Sequence, residues 1–159
     1  MNATAKGAPG EKLIASNRKA FHDYHVLERF DAGLVLLGTE IKSLREGRAN
    51  LSDSYVAFQK GEAYLLNAHI SPYTHGNREN HEPLRSRKLL LHRRELDKLE
   101  AQVRDKGLTI VPLRLFFRGS VAKVEIAVVR GKQLHDKRET ERTKEADREA
   151  AAAMKHGRR

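Results

Sequence analysis

The sequence predicts a mainly β fold: a small closed antiparallel barrel of six strands with two to three helices, continued by a basic tail that has no core of its own. Three observations carry this reading. Short apolar segments recur between Gly- and Asp-containing turn signals, and only two firm helical stripes interrupt them. The last of these segments, 121–129, is strongly apolar, whereas beyond residue 138 no side chain larger than alanine is offered to a core except Met154. Between them, 130–138 concentrates Arg130, Lys132, Lys137, Arg138 and the titratable His135. A folded body therefore gives way abruptly to a charged tail.

The elements follow in order. Residues 1–13, rich in Ala, Gly and Lys, have nothing to bury and read as a disordered N-terminus. The body is 14–130. Residues 24–30 read as a strand, Asp31-Ala32-Gly33 as a turn, and 34–38 as a second strand apolar on both faces. Thr39 is placed to cap a short helix, with Glu40 at the positive end of its dipole, Ile41 and Leu44 on one face, and Gly47 as its stop. A hairpin is expected from 54–60 and 62–70 around Lys60-Gly61. Residues 71–87 form a polar stretch too long for a plain connector, hence mobile or functional. An apolar anchor at 89–91 precedes a helix whose stripe is Leu96, Leu99 and Val103, with Arg93 and Asp97 spaced as a surface pair. In 109–118, Val111, Leu113, Leu115 and Phe117 should share one face and Arg114 the other. After Gly119-Ser120, the side chains Ala122, Val124, Ile126 and Val128 point inward, and Lys123 and Glu125 outward. Short antiparallel strands plugged by a helix suit a barrel of the oligonucleotide-binding (OB) kind; an open antiparallel sheet with helices on one face is the runner-up. The tail, 131–159, is nearly all helix formers from 139 to 153 but has no apolar stripe, so it should be disordered alone and helical when bound.

The net charge of +10 over 159 residues points to a polyanionic partner. No apolar run approaches a membrane span, the N-terminus lacks an apolar signal core, and the absence of cysteine fits a reducing cytoplasm. Nothing asks to be an active site. His22 and His25 have no third ligand spaced with them, the glycines form no phosphate loop, and Asp31, Glu40 and Asp53 are scattered carboxylates. We therefore expect no catalytic residue, metal or cofactor. The informative signal is basic residues interleaved with aromatics. One strip is Arg18, Lys19, Phe21, His22 and Tyr24; a second is Arg85, Arg87, Lys88, Arg93 and Arg94. Solvated surface is the plain alternative for both.

Several stretches narrow this further. Asn17-Arg18-Lys19-Ala20, Phe30-Asp31-Ala32-Gly33-Leu34, Gly38-Thr39-Glu40-Ile41-Lys42-Ser43-Leu44-Arg45, Ser52-Asp53-Ser54-Tyr55, Arg87-Lys88-Leu89-Leu90-Leu91, Lys123-Val124-Glu125-Ile126 and Gly131-Lys132-Gln133-Leu134-His135-Asp136-Lys137-Arg138 together resemble the SsrA-binding (small protein B) family, in order from about residue 14 to the end. The resemblance implies a six-stranded OB-type barrel that binds the tRNA-like domain of transfer-messenger RNA (tmRNA) and delivers it to stalled ribosomes in trans-translation. It implies elongation factor Tu and alanyl-tRNA synthetase as further partners, no enzymatic activity, and a tail that enters the empty mRNA channel as a helix. By the same resemblance, Asn17, Asp31 and Leu90 match positions that bind the tRNA-like domain. Lys123, Arg130 and Lys132 match its basic edge, and His135, Asp136, Lys137 and Arg138 a segment that meets the small-subunit decoding centre. Gln133 and Ala153-Met154 depart from the family pattern. Leu90 also reads as a plain core residue. We expect an RNA-binding, monomeric, cytoplasmic protein with no membrane partner; a basic ribosomal structural protein whose tail threads rRNA is the alternative.

Overall fold

The computed structural model describes residues 10–75, 79–105 and 107–156; within its last helix the side chains of 134–136, 140 and 151–156 lie outside the described residues. The elements in order are β1 (Glu11–Ser16), α1 (Arg18–Asp23), β2 (Tyr24–Leu34), α2 (Gly38–Arg45), β3 (Ala49–Asn50), β4 (Tyr55–Gln59), β5 (Glu62–Leu66), β6 (His69–Ile70), β7 (Arg87–Leu90), α3 (Arg93–Val103), β8 (Leu108–Arg118), β9 (Val121–Gly131) and α4 (Leu134–His156).

Seven strands make one antiparallel sheet in the order β1-β8-β9-β2-β7-β5-β4, and β3 pairs with β6 separately. This corrects the six-stranded closed barrel. The sheet curls enough that Val56 of β4 and Ile14 and Ala15 of β1, from its two edges, pack in the same core, yet among the described residues no ladder joins those edges. Asn17 occupies the seam. Its side-chain amide donates to the carbonyls of Leu51 (3.2 Å) and Pro112 (2.9 Å), and its backbone N–H donates to Leu113.

The 11-residue β2 runs straight through Asp31-Ala32-Gly33, which is therefore not a turn. Continuous pairing with β9 from Phe30↔Ile126 to Gly33↔Lys123 overrides the local turn preference. The strand predicted at 34–38 ends at Leu34. The hairpin at Lys60-Gly61 is as expected: both residues have positive φ, as a two-residue turn of the favoured hand needs. Its second strand stops at Leu66, because Asn67 takes a left-handed φ of 61°.

In β8 the simple alternation fails. A bulge between Pro112 and Arg114 shifts the register against β9. Val111 and Leu113 consequently pack with Ala20, Ala127 and Val129 in a small cluster under α1, while Leu115 and Phe117 enter the main core with Ile110. Ala122, Val124, Ile126 and Val128 point into that core as expected. β1 begins within the span read as a disordered N-terminus, because Glu11 and Lys12 pair with Arg118 and Phe117; residues 1–9 lie outside the described residues.

Thr39 does not cap α2. The cap position is Leu37, two residues earlier, with the Glu40 carboxylate accepting from the Leu37 N–H at 2.8 Å, and the Thr39 hydroxyl instead meets His81 Nδ1 at 2.9 Å. That contact helps fix the polar stretch 71–87. His81 is buried and its Nε2 bonds the Ile70 carbonyl, Asn80 ties back to Tyr73, and Ser43 donates to the Ser71 carbonyl. The described part of this stretch is thus a strap across α2. α3 buries Leu96 and Leu99, and the apolar anchor before it is the short strand β7.

Candidate nucleic-acid interface

Register assembles the first surface. Leu13 opposes Phe116, Phe116 opposes Lys123, Lys123 opposes Gly33, and Gly33 opposes Leu90. Directly opposed residues share a face, so this row crosses five strands on the side away from the main core. Leu90 is 53% exposed, whereas its neighbour Leu89 is 1% exposed and sits in the core. Leu90 is therefore a surface residue, and the core reading of it is set aside. Gly33 makes room for it: a Cβ on Gly33 would lie 3.3 Å from that of Leu90.

Beside the row lies a charged network. Asp31 Oδ2 pairs with Arg118 at 2.9 Å, Arg118 also reaches Glu11 at 3.3 Å, and Arg114 lies 3.5 Å from both Glu11 and Glu125. The guanidinium groups of Arg114 and Arg118 cover the Phe116 ring at 4.2 and 5.3 Å. Phe116 is fully buried but belongs to neither core cluster; the two arginines bury it by stacking. Asp31 holds the Arg118 guanidinium above its ordinary pKa by hydrogen bonding, aided by Glu11. The carboxylate thus orients a cation and remains partly accessible itself. Arg118 is a residue that sequence reasoning missed. Its signal was available in the outward phase of β8 that alternation from Arg114 gives.

Burial removes two expected site residues from this surface. Arg87 is fully buried: its Nε meets Glu40 Oε2 and its Nη1 the Ala68 carbonyl, both at 2.5 Å, and Nη2 donates to Pro83 at 3.0 Å. Arg85 closes on the other oxygen of Glu40 at 2.6 Å. Burial alone would raise the Glu40 carboxyl, but Arg85, the Leu37 N–H and Arg87 outweigh it and hold the carboxyl below the usual range. Arg87 thus has no route to a phosphate; an arginine in so polar a run looks exposed in sequence because its acceptors Glu40 and Ala68 come from distant segments. Asn17 is likewise buried, and its side-chain oxygen accepts from Ala20 N–H at the start of α1. It fixes the seam and the helix rather than offering a free edge. Lys88 is half-exposed and near Glu62 at 3.9 Å.

A second surface lies at the other end of the same strands. Tyr24 and His25 oppose Gly131 and Arg130, about 23 Å along β9 from Lys123 at the strand rise. Here α1 presents exposed Arg18 and Lys19, with Lys19 3.1 Å from Asp53. Lys132 donates through Nζ to the Phe21 carbonyl and through its backbone N–H to Asp23. His22 bridges Asp23 (2.9 Å) and Glu141 of α4 (2.8 Å), and Lys137 lies 3.6 Å from Asp23. Asp23, then Glu141, raise the His22 pKa, while His22, then Lys137, hold Asp23 below its usual range. The first turns of α4 are thus clamped to α1. The helical backbone of Leu134–His156 differs from the disorder expected of a free tail, and this clamp together with the helix-forming composition accounts for it. Arg138 is exposed; the side chains of His135, Asp136 and Met154 lie outside the described residues. No group of three or more metal-ligating side chains occurs among the described residues.

A curled, mainly β sheet with an arginine-framed apolar row on its outer face and a basic helical tail defines an OB-like nucleic-acid-binding protein. The chain belongs to the SmpB protein family, whose model matches residues 14–156. It is 55% identical to an SsrA-binding protein of Geobacter sulfurreducens over 92% of this chain and 95% of that one. It is 57% identical to one of Latilactobacillus sakei over 90% and 92%. A solved structure described as "tmRNA-SmpB: a journey to the center of the bacterial ribosome" superposes with a TM-score of 0.65 at 47% identity, covering 76% of this chain and 85% of that one.

Proposed function

We infer that this protein is the tmRNA-binding adaptor of trans-translation: it binds the tRNA-like domain of tmRNA and carries it to stalled ribosomes. Similarity to SsrA-binding proteins and to the tmRNA–SmpB complex along nearly the whole chain carries the reading. The row Lys123–Gly33–Leu90 beside Asp31 and Arg118 supports one surface for the tRNA-like domain. Leu90 supplies an apolar contact for a base or ribose, Asp31 an acceptor for a base edge or 2′-hydroxyl, and Lys123 and Arg118 charge for phosphate. Asn17 acts by holding α1 in place. Arg18, Lys19, His22, Lys88, Arg130 and Lys132 extend the basic edge. His135 to Arg138 address the decoding centre and the tail, with Met154 near its end, enters the empty mRNA channel. Elongation factor Tu and alanyl-tRNA synthetase join through the RNA. The protein acts as a monomeric, non-enzymatic, cytoplasmic factor; no described helix is long and apolar enough to cross a membrane.

Sequencing the RNA that co-purifies with the protein tests this directly. A single small RNA with a tRNA-like end is expected, and its absence overturns the reading. Truncation after Gly131 should leave affinity for that RNA nearly intact and abolish tagging on stalled ribosomes. Loss of RNA binding on truncation would contradict the division between body and tail.

A further inference from the structure

Glu11 lies ahead of residues 14–156, the span that the SmpB family model matches, and the function described so far gives it no part. Yet it is the most buried member of the outer charged network. Its side chain is 2% exposed, against 14% for Arg114, 39% for Asp31 and 48% for Arg118. A carboxylate so placed needs paired cations. Two guanidinium groups close on it, Arg114 at Oε1 (3.5 Å) and Arg118 at Oε2 (3.3 Å). The backbone fixes its position. Glu11 opposes Arg118 directly in the β1–β8 register, and the Gly119 N–H donates to the Gly10 carbonyl at 3.1 Å. The start of β1 is thereby tied to the turn that follows Arg118.

The hydrogen bonds of Arg118 divide its guanidinium in two. Glu11 Oε2 and Asp31 Oδ2 both accept from the same nitrogen, Nη2. Nε and Nη1 have no hydrogen-bond partner among the described residues, and two such donors suit the oxygens of a phosphate. The two carboxylates differ in access. Asp31 is open to solvent and offers its oxygens to a base edge or a 2′-hydroxyl. An RNA donor that takes Asp31 removes one of the two anchors of Nη2. Glu11 is out of reach of RNA, so it still holds Arg118 when Asp31 is engaged. The Phe116 ring, 5.3 Å from the guanidinium, is the remaining support.

We propose that Glu11 is a positioning residue for RNA recognition: from beneath the outer face it anchors Arg118 through Nη2, so that Asp31 is released to the RNA while Arg118 stays aimed at phosphate. The proposal rests on the adaptor reading, and its sign is distinctive. By its field alone, a carboxylate near an RNA surface repels phosphate, so neutralising it should tighten binding. Positioning predicts the reverse. The full chain is titrated with a transcript of the tRNA-like domain of tmRNA at several salt concentrations, as wild type, Glu11→Gln, Glu11→Asp, Arg118→Ala and the double variant Glu11→Gln/Arg118→Ala. Glu11→Gln should bind about five-fold weaker, with a log–log salt slope lower by about one, as for the loss of one phosphate contact. Glu11→Asp keeps the charge and should restore most of the affinity. In the Arg118→Ala background, Glu11→Gln should cost nothing or tighten binding, because only its field remains. Unchanged or tighter binding of Glu11→Gln with Arg118 present overturns the proposal. So does an equal loss in both backgrounds, which would make Glu11 a support of the fold rather than of Arg118. Failure of the wild-type chain to bind the transcript overturns the adaptor reading itself.

Discussion

Two guanidinium–carboxylate clusters in this fold look alike in sequence and have opposite roles in space. At Glu40, two arginines from the 71–87 strap and its end close on one fully buried carboxylate, and every polar atom of the pair faces protein. At Asp31, the partner Arg118 is about half-exposed, shares itself with Glu11, and lies over an aromatic ring on the outer face. The first cluster locks α2, β7 and the strap together. The second leaves charge and an accepting edge available to a ligand. The difference shows that basic residues near the outer row are informative only when their carboxylate partners are known.

The largest expected effect falls on the buried cluster. Arg87→Ala strands an ionised Glu40 and should cost about 3–5 kcal/mol, read as the shift in a urea unfolding curve. Any loss of RNA affinity should follow the fraction folded. Acid should expose the same pair. Because the Glu40 carboxyl is held below its ordinary range, its contribution to stability is complete above that range and is lost as pH falls through the lowered value. In Arg87→Ala the acid limb of the stability profile should begin at higher pH; an identical limb would mean that Arg87 does not support Glu40.

Adjacent leucines sharpen the contrast. Leu89→Ala should cost about 2–5 kcal/mol of stability, whereas Leu90→Ala should fall within about 0.5 kcal/mol of wild type. A comparable loss of stability at both would place Leu90 in the core. On the exposed cluster, Asp31→Ala and Arg118→Ala should each leave the urea midpoint nearly unchanged and weaken binding of the tRNA-like domain by about 1–3 kcal/mol. Their double variant should lose less than the sum, since each residue positions the other; strict additivity would show that they contact RNA independently.

The smallest effect concerns the tail. The His22 pKa is raised by Asp23 and Glu141, so its hold on α4 is complete below the ordinary histidine value of about 6.5 and is lost as pH rises through the raised value. Amide exchange over residues 137–145, corrected for intrinsic rate, should accelerate across that window, and His22→Gln should remove the pH dependence.

Much of this architecture was legible in the sequence. The Lys60-Gly61 hairpin, the α3 stripe and the inward phase of β9 follow from periodicity and turn chemistry alone. Asp31, Leu90 and Lys123 were flagged by family resemblance. What remained hidden depends on partners far away in the chain. The bulge at Pro112–Arg114 has no local marker strong enough to override alternation, and it decides that Ile110, rather than Val111 and Leu113, joins Leu115 and Phe117 in the main core. The turn reading of Asp31-Ala32-Gly33 fails because pairing with β9 stabilises an extended glycine. Arg87 and Asn17 read as surface residues because burial of a polar side chain is set by its acceptors: Glu40 and Ala68 for one, Leu51 and Pro112 for the other.

The central claim is that the outer row, and not the buried arginine cluster, meets RNA. The affinity of Leu90→Ala for a transcript of the tRNA-like domain, measured beside its urea midpoint on the same preparation, tests it most directly. The account predicts a clear loss of affinity at an unchanged midpoint. Wild-type affinity in that variant would contradict it.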